Sequence, residues 1–158
     1  MPALRPMDPD DVPAVLALNE RNVVKLAPLD RARLHQLSAL AERLDVVDVE
    51  GHFAGFVITF AAGSAYDSEN FRWFSQRYDD FAYLDRIVLH EDFRRRGLGS
   101  FVYDEVEDAG RRHGRLTLEV NLVPRNEPSL AFHAARGFVE VGRLGDDDHL
   151  VSLMEKRL

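Results

Sequence analysis

Cysteine is absent from the 158-residue chain, and no stretch approaches the roughly 20 consecutive apolar residues of a transmembrane helix. The first absence excludes disulfide bonds, thiolate metal sites and a cysteine nucleophile. The second excludes a membrane-spanning helix. Segment 1–11 carries charge and proline where a signal peptide would have an apolar run. We therefore expect a soluble, cytoplasmic protein.

Positive charge is in deficit, with 20 Lys and Arg against 27 Asp and Glu and a net charge of −7 at pH 7. This balance disfavours general binding to nucleic acid or to an anionic membrane. A polyanionic ligand must therefore find a local basic site. The hydrophobic fraction of 46% and the chain length fit one globular domain, 1–158, with one sizeable core.

Apolar residues recur with helical spacing in some segments and with strand-like patterns in others. Helices are predicted at 9–20, 29–44, 97–113 and 128–136, and strands at 3–7, 45–50, 53–62, 81–89, 116–121, 138–144 and 149–156. The order β-α-α-β-β-β-α-β-α-β-β predicts an α/β fold, in which a mixed sheet has helices on both faces.

Segment 63–80 interrupts this order and contains five aromatic residues among several acids. Loops of this length are usually functional or disordered, and the aromatic residues argue against disorder. We expect a short helix here. Trp73, Phe74 and Tyr78 either wall a binding pocket, to which nearby acids attract a cationic ligand, or form a separate hydrophobic cluster.

The most informative loop lies between an apolar strand and an amphipathic helix, and reads Arg94-Arg95-Arg96-Gly97-Leu98-Gly99-Ser100. A helix N-terminus offers unpaired N–H groups and partial positive charge, which bind phosphate. Gly97 and Gly99 allow close approach of the backbone. The loop lacks the lysine of a Walker motif and the third glycine of a Rossmann fingerprint. The alternative is a basic turn that only solvates the helix start.

The spacing Arg94-x-x-Gly97-x-Gly99 resembles the pyrophosphate-binding motif of the GNAT acetyltransferase superfamily. A downstream segment is similar to the family's Asn…Leu-Tyr…Gly-Phe segment, and comprises Asn126, Ser129, Phe132-His133 and Gly137-Phe138. Two motifs in this order are more specific than either alone. The resemblance spans essentially the whole chain. It implies a twisted, mostly antiparallel sheet whose central strands splay apart to admit the pantetheine arm of coenzyme A.

The resemblance also implies that acetyl-CoA is the acetyl donor and that certain residues contact it. Backbone groups of strand 81–89 would bind the pantetheine, and the arginine loop would hold the pyrophosphate. The implied coenzyme-binding set is Ile87, Val88, Leu89, Arg94, Arg95, Arg96, Gly97, Leu98, Gly99, Ser100, Asn126, Ser129 and His133. Segment 66–78 would then be an insertion beside the acceptor site.

Glu119 is the first candidate for a general base. It lies in a strand whose Leu116, Leu118 and Val120 share one face, so Glu119 points to the other. A carboxylate on a central strand is costly unless it is solvated or paired. The position suits a base that acts directly or through water, and equally a satisfied structural carboxylate.

Asp85 is the second candidate, as an acid that binds the acceptor or as the base. It is followed by Arg86 inside strand 81–89. Neighbours in a strand point to opposite faces, so the two side chains are predicted not to pair with each other. Each then needs its own partner or opens onto the cleft, and a structural ion pair with another residue is the alternative for Asp85.

His133 stands where many family members have the tyrosine that is thought to protonate the coenzyme A thiolate. An imidazole can donate a proton near neutral pH, so this role is compatible with the substitution. The alternative is that His133 only packs on its helix. Tyr83 and Tyr103 are weaker substitutes for the missing tyrosine. Tyr66, Trp73 and Tyr83 are the predicted acceptor-binding residues.

The leading hypothesis is an amine N-acetyltransferase that works through a ternary complex without a covalent enzyme intermediate. The rivals are a non-catalytic acyl-CoA-binding module and a nucleotide-binding regulator. Small-molecule and peptide amines both remain open as acceptors, from amino acids, polyamines and aminoglycosides to protein N-termini and lysine side chains. Homodimers are common among proteins of this kind.

Overall fold

Seven strands form one sheet in the described residues, 1–22, 26–94 and 96–158, of the computed structural model. They are β1 (Pro2–Pro6), β2 (Arg43–Val49), β3 (His52–Ala61), β4 (Ala82–Leu89), β5 (Arg115–Val123), β6 (Val139–Gly145) and β7 (Leu150–Arg157). The strand order is β1-β2-β3-β4-β5-β7-β6. Every neighbouring pair is antiparallel except β4 with β5, which is parallel.

Helices cover both faces of this sheet. They are α1 (Val12–Arg21), α2 (Arg31–Leu40), α3 (Glu69–Ser75), α4 (Leu98–Gly110) and α5 (Glu127–Ala135). The first three pack against one hydrophobic cluster, and α4 and α5 pack against another on the opposite face. The predicted fold class, a mixed and mostly antiparallel sheet between helices, is confirmed. None of the helices in the described residues is long and apolar enough to cross a membrane.

Side-chain caps fix the starts of three helices. Asp30 accepts a hydrogen bond from the Arg33 N–H at the start of α2, and Ser68 accepts one from the Phe71 N–H at the start of α3. Asn126 caps α5 in the same way. Each cap satisfies an N–H group that the helix itself leaves unpaired.

The helix predicted at 29–44 is shorter in the structure, because α2 ends at Leu40 and β2 begins at Arg43. Ala41 already has an extended backbone, and Leu44 pairs with Ile58 of β3. Leu44 had matched the helical stripe of the sequence. Leu44 is instead a buried residue of strand β2, because sheet pairing outweighs a local helical pattern.

The two central strands diverge soon after they meet. Only Ala82 with Leu116 and Tyr83 with Thr117 are paired between β4 and β5. Both strands continue well beyond these pairs, so the edge of β4 that faces β5 is open from Leu84 onwards. The predicted splaying of the central strands is confirmed.

A β-bulge lies in β4 at the start of this open edge. Arg86 is opposite Ile58 of β3 and Leu84 is opposite Thr59, which leaves Asp85 as the extra residue. A bulge breaks the alternation of side chains along a strand. Arg86 Nε consequently donates to Asp85 Oδ2 over 2.7 Å, and both side chains are buried. The prediction that Asp85 and Arg86 do not pair was wrong.

The aromatic segment 63–80 contains α3 and belongs to the core. Phe71 and Phe74 are fully buried, and the Tyr66 ring stacks on Phe60 with centroids 3.9 Å apart. Trp73 is half-buried and packs against Gly142 of β6. The segment is therefore not a separate cluster, since it shares the core formed with α1 and α2.

Replacing Gly142 with alanine is expected to destabilise the protein by about 1–3 kcal/mol through overpacking. A Cβ at this position would lie 2.4 Å from Cζ2 and 2.8 Å from Cη2 of Trp73, too close for either side chain to stay in place. Urea denaturation followed by circular dichroism measures the change in the free energy of unfolding. In a Trp73→Leu background the same substitution should cost much less, and an equal cost in both backgrounds would contradict this contact.

Candidate active site

A cleft of about 1120 Å³ lies at the splayed strands. Its walls come from the open part of β4, from β5, from the N-terminal ends of α4 and α5, and from the segment that leads into α3. This volume exceeds the upper end of the usual range for small-molecule pockets, about 300–1,000 Å³. The cleft therefore has room for a long ligand and a second, smaller one.

The N-terminus of α4 reaches the cleft at Gly99, and a left-handed glycine precedes the helix. Gly97 has a φ of 73° and precedes the helix, and no side chain of the described residues caps the first turn. A Cβ built on Gly97 or on Gly99 would have no neighbouring atom within 4 Å. Free N–H groups beside open space fit a diphosphate, so this end of the cleft suits coenzyme A.

The remaining residues of the arginine loop differ in their surroundings. Arg94 lines the cleft, whereas the Arg96 guanidinium lies 5.2 Å from the Phe93 ring centroid. The Leu98 side chain is buried in the core, so this residue can offer only main-chain groups to a ligand. Ser100 is exposed and Arg95 lies outside the described residues.

The strand and helix residues that the resemblance implied for the coenzyme come together in the cleft. Ile87, Val88 and Leu89 line it from the open edge of β4. Asn126 and Ser129 line it from the start of α5. Because β5 has left β4 by this point, main-chain groups of 87–89 are available on that edge.

Glu119 reaches the cleft from β5 and is held by a tyrosine beneath it. The Tyr83 hydroxyl lies 2.6 Å and 2.7 Å from the two carboxylate oxygens, and the Asn70 side chain lines the same cleft close enough to lower the pKa of Glu119. Burial and the negative charge of Asp85 raise the pKa of Glu119 to about 7, against the opposing effect of these hydrogen bonds. Glu119 can therefore exchange a proton near neutral pH.

Asp85 lies in the same cleft and is engaged on both oxygens. The Tyr66 hydroxyl donates to Oδ1 over 2.5 Å, and Arg86 donates to Oδ2. Arg86 also donates to Asn19 Oδ1 over 3.1 Å and to the carbonyl of Ala27 over 3.2 Å. Asp85 is therefore fixed by groups from three parts of the chain.

His133 is buried and both of its ring nitrogens have partners. Nδ1 lies 2.6 Å from the Ser129 carbonyl oxygen, which can only accept, so Nδ1 carries the proton. Nε2 then accepts from the Tyr103 hydroxyl over 2.6 Å. Burial lowers the pKa of His133, so the imidazole is neutral at neutral pH. In the hydrogen bond between Tyr103 and His133 the proton therefore belongs to the Tyr103 hydroxyl. Tyr103 also lines the cleft.

The three residues predicted to bind the acceptor lie in different places. Tyr66 lines the cleft, Tyr83 is buried beneath Glu119, and Trp73 packs on β6 away from the cleft lining. Sequence reasoning missed Asn70 altogether. Its place in the second position of a short helix carries no signal that it faces a carboxylate on β5.

Comparison with known proteins agrees with this geometry. The acetyltransferase (GNAT) family profile matches residues 15–138. An uncharacterized N-acetyltransferase in the pepI 3′ region of Lactobacillus delbrueckii subsp. lactis is 32% identical over 79 residues. That match covers 48% of this chain and 46% of the relative, so less than half of the relative's length is matched.

Solved structures share the fold at low sequence identity. Ard1 from Thermoplasma volcanium has a TM-score of 0.76 at 20% identity, covering 99% of this chain and 97% of that one. Chaetomium thermophilum Naa20 with a bisubstrate analogue also has a TM-score of 0.76, at 17% identity and 99% and 86% coverage. YncA from Salmonella typhimurium with acetyl-CoA has 0.69, at 16% identity and 99% and 94% coverage. Together with the profile match, the fold and the cleft lead to one conclusion: the chain belongs to the GNAT family of acetyltransferases.

Proposed function

We propose that this protein is an N-acetyltransferase that moves the acetyl group of acetyl-CoA onto a primary amine by direct attack in a ternary complex. The observation that carries the proposal is the position of Glu119. Its carboxylate, with a pKa of about 7, faces a cleft between splayed strands that also receives an uncapped helix N-terminus. When bound, acetyl-CoA supplies an acetyl group that is activated as a thioester.

Residues of the chain would hold the coenzyme along the open side of β4. The N–H groups around Gly97 and Gly99 would bind the diphosphate, and Arg94 would add positive charge from the cleft wall. The backbone of 87–89 would pair with the amide groups of the pantetheine arm, as an added strand pairs with a sheet edge. Asn126 and Ser129 would contact the arm from α5.

Glu119 would accept the proton that the attacking amine must lose, directly or through one water. A base is most effective when its pKa lies near the working pH, and Glu119 meets this condition because it is half-buried and lies beside Asp85. Tyr83 would keep the carboxylate in place, since its hydroxyl contacts both oxygens. Tyr83 thus supports the base from below and does not need to touch the acceptor.

Tyr103 would hold the proton at the coenzyme side of the cleft. His133, predicted as the acid, has its Nδ1 proton on the Ser129 carbonyl and so would act through Tyr103. Tyr103 of α4 and His133 of α5 would together take the role of the single tyrosine that many family members have at the His133 position. The Tyr103 hydroxyl is the group from which a departing sulfur would take a proton.

The acceptor would be an amine that binds beside Glu119, since Asp67 and Asp85 of the cleft wall are already paired with Arg33 and Arg86. Similar folds are found in a ribosomal-protein-alanine N-acetyltransferase from Brucella melitensis and in a putative phosphinothricin N-acetyltransferase. The first name points to an alanine of a ribosomal protein and the second to phosphinothricin. An acceptor panel should therefore contain both kinds.

Release of free thiol from acetyl-CoA over such a panel tests the proposed function. The chain contains no cysteine, so a thiol reagent reports the released coenzyme without background from the protein. We expect turnover with at least one basic amine. Tight coenzyme A binding without turnover on any acceptor would favour a non-catalytic acyl-CoA-binding module. Competition by ATP as strong as that by coenzyme A would favour a nucleotide-binding regulator.

A further inference from the structure

Asp85 and Glu119 lie across from each other where the central strands part. The last pair between β4 and β5 is Tyr83 with Thr117, and two residues further along each parallel strand come Asp85 and Glu119. Tyr83 already contacts Glu119 through its hydroxyl, so Glu119 lies on the same face of the sheet as the Tyr83 ring. The opening between the strands therefore has a carboxylate on each side.

The bulge brings the Arg86 side chain to the face of the sheet on which Tyr83 and Asp85 lie. Tyr83 and Val88 belong to the cluster beneath α1 and α2, whereas Leu84 belongs to the opposite one. Odd-numbered residues of β4 therefore face the α1 and α2 side before the bulge, and even-numbered residues face it after the bulge. Without the extra residue, Asp85 and Arg86 would point to opposite faces.

The carboxylate of Asp85 is immobilised, with 7% of the side chain exposed. Tyr66 and Arg86 each occupy one oxygen, and Arg86 is anchored in turn on Asn19 and on the carbonyl of Ala27. Asn19 itself is fully buried and donates to the same Ala27 carbonyl over 3.0 Å. A group held in this way is badly placed to take up and release the proton of a substrate.

We propose that Asp85 is a positioning residue that acts on the reaction through Glu119: Tyr66 and Arg86 hold its carboxylate across the strand opening from the base. Repulsion between the two carboxylates then favours the protonated form of Glu119. Asp85 is then not a second base. This inference rests on the proposed function, because it concerns how the same base is prepared.

Tyrosine and asparagine side chains surround Glu119, and the same cleft also contains charged groups. Burial and the charge of Asp85 raise the pKa of Glu119, while the Tyr83 hydroxyl and the nearby Asn70 amide lower it. Burial also raises the pKa of the Tyr66 and Tyr103 phenols, and the negative charge of Glu119 adds to this effect in both. Arg86 is bound to Asp85, and Arg33 and His149 line the same cleft.

The first test needs no acceptor. The side-chain carbonyl of Glu119 is followed by NMR in protein labelled with δ-¹³C glutamate, and is assigned by the loss of its signal in Glu119→Gln. We expect Asp85→Asn to lower the titration midpoint of Glu119 by about one pH unit, because a neutral amide no longer repels the ionised carboxylate. Asp85→Glu, which keeps the charge, should restore most of the shift.

Asp45→Asn is the matched control. Asp45 is also a buried acid on a strand that pairs with an arginine, Arg43, but it lies outside the cleft lining. The Glu119 midpoint should be the same in this variant as in the wild type. An unchanged midpoint in folded Asp85→Asn, or an equal shift in Asp45→Asn, would overturn the inference.

Arg86→Gln is a second variant, for use if Asp85→Asn does not fold, and it should change the Glu119 midpoint in the opposite direction. Glutamine can still donate to Asp85, but the cation that partly offsets the Asp85 charge is gone. The Glu119 midpoint should rise, and an unchanged or lowered midpoint would count against the proposed role.

Kinetics then connects the titration to the reaction. With an acceptor from the thiol-release panel, the acidic limb of kcat/KM in Asp85→Asn should move to lower pH by the same amount as the NMR midpoint. A shifted midpoint with an unmoved acidic limb would show that Asp85 has no role in the reaction. Failure of wild-type turnover on every acceptor would instead remove the proposed function and leave the coupling of the two carboxylates intact.

Discussion

Gly97→Glu is expected to weaken coenzyme A binding on the order of 100-fold or more. The new carboxylate would lie at the uncapped N-terminus of α4, where it would occupy the open space and repel the diphosphate. Loss of two charge-assisted hydrogen bonds, at about 1.5–3 kcal/mol each, corresponds to at least this factor at about 1.4 kcal/mol per tenfold change. Isothermal titration calorimetry with coenzyme A measures the affinity.

Gly114→Glu controls for the strain that any side chain causes at a positive φ. Gly114 has a φ of 80°, close to that of Gly97, and a Cβ there would also meet open space. It precedes β5 at the end away from the cleft lining. This variant should bind coenzyme A like the wild type. Wild-type affinity in Gly97→Glu would show that the diphosphate binds elsewhere, and the proposed coenzyme site would be abandoned.

Glu119→Gln is expected to lower kcat/KM by about 10²–10⁴-fold, the usual contribution of general base catalysis. Glutamine has nearly the same shape and can still accept from Tyr83, but it cannot take up a proton. Coenzyme A affinity should change little, because the diphosphate end of the cleft is untouched. Thiol release under substrate-limited conditions, together with calorimetry, separates the two quantities.

The role of Glu119 as a base also predicts the direction in which kcat/KM changes with pH. A base must be ionised to act, and the pKa of Glu119 is about 7, so kcat/KM of the wild type should rise as pH increases through about 7. This limb should be absent in Glu119→Gln. Glu140→Gln removes a carboxylate on β6, outside the cleft lining, and should keep both the rate and the limb. If turnover of Glu119→Gln equals that of the wild type at every pH, Glu119 is structural.

Two features could be recognised from the sequence because their physics is local. The strand–loop–helix that contains Gly97 and Gly99 offers N–H groups through residues adjacent in the chain, so the pattern alone predicted a candidate anion site. Alternating apolar residues likewise indicated the strands. They also indicated that Glu119 lies on the face of its strand opposite the apolar residues. One error of this kind, at Leu44, arose where a helical stripe ran into a strand and pairing with β3 decided between them.

The partners of the candidate catalytic groups depended on tertiary structure. Tyr83, Asn70 and Asp85 meet Glu119 only because α3 and β4 are brought to β5 by the sheet order. The pairing of Asp85 with Arg86 follows from a bulge that no local pattern announces.

Composition and local pattern therefore determined the fold class and led to the proposals for the anion-binding loop and for the base. Only the tertiary structure decided that Asp85 is held by Tyr66 and Arg86, that His133 is bound to Tyr103, and that Trp73 lies on β6. The physical reason is that a free N–H or the face of a strand is set by neighbours in the chain. The proton affinity of a buried group is set by residues that only the packing brings near.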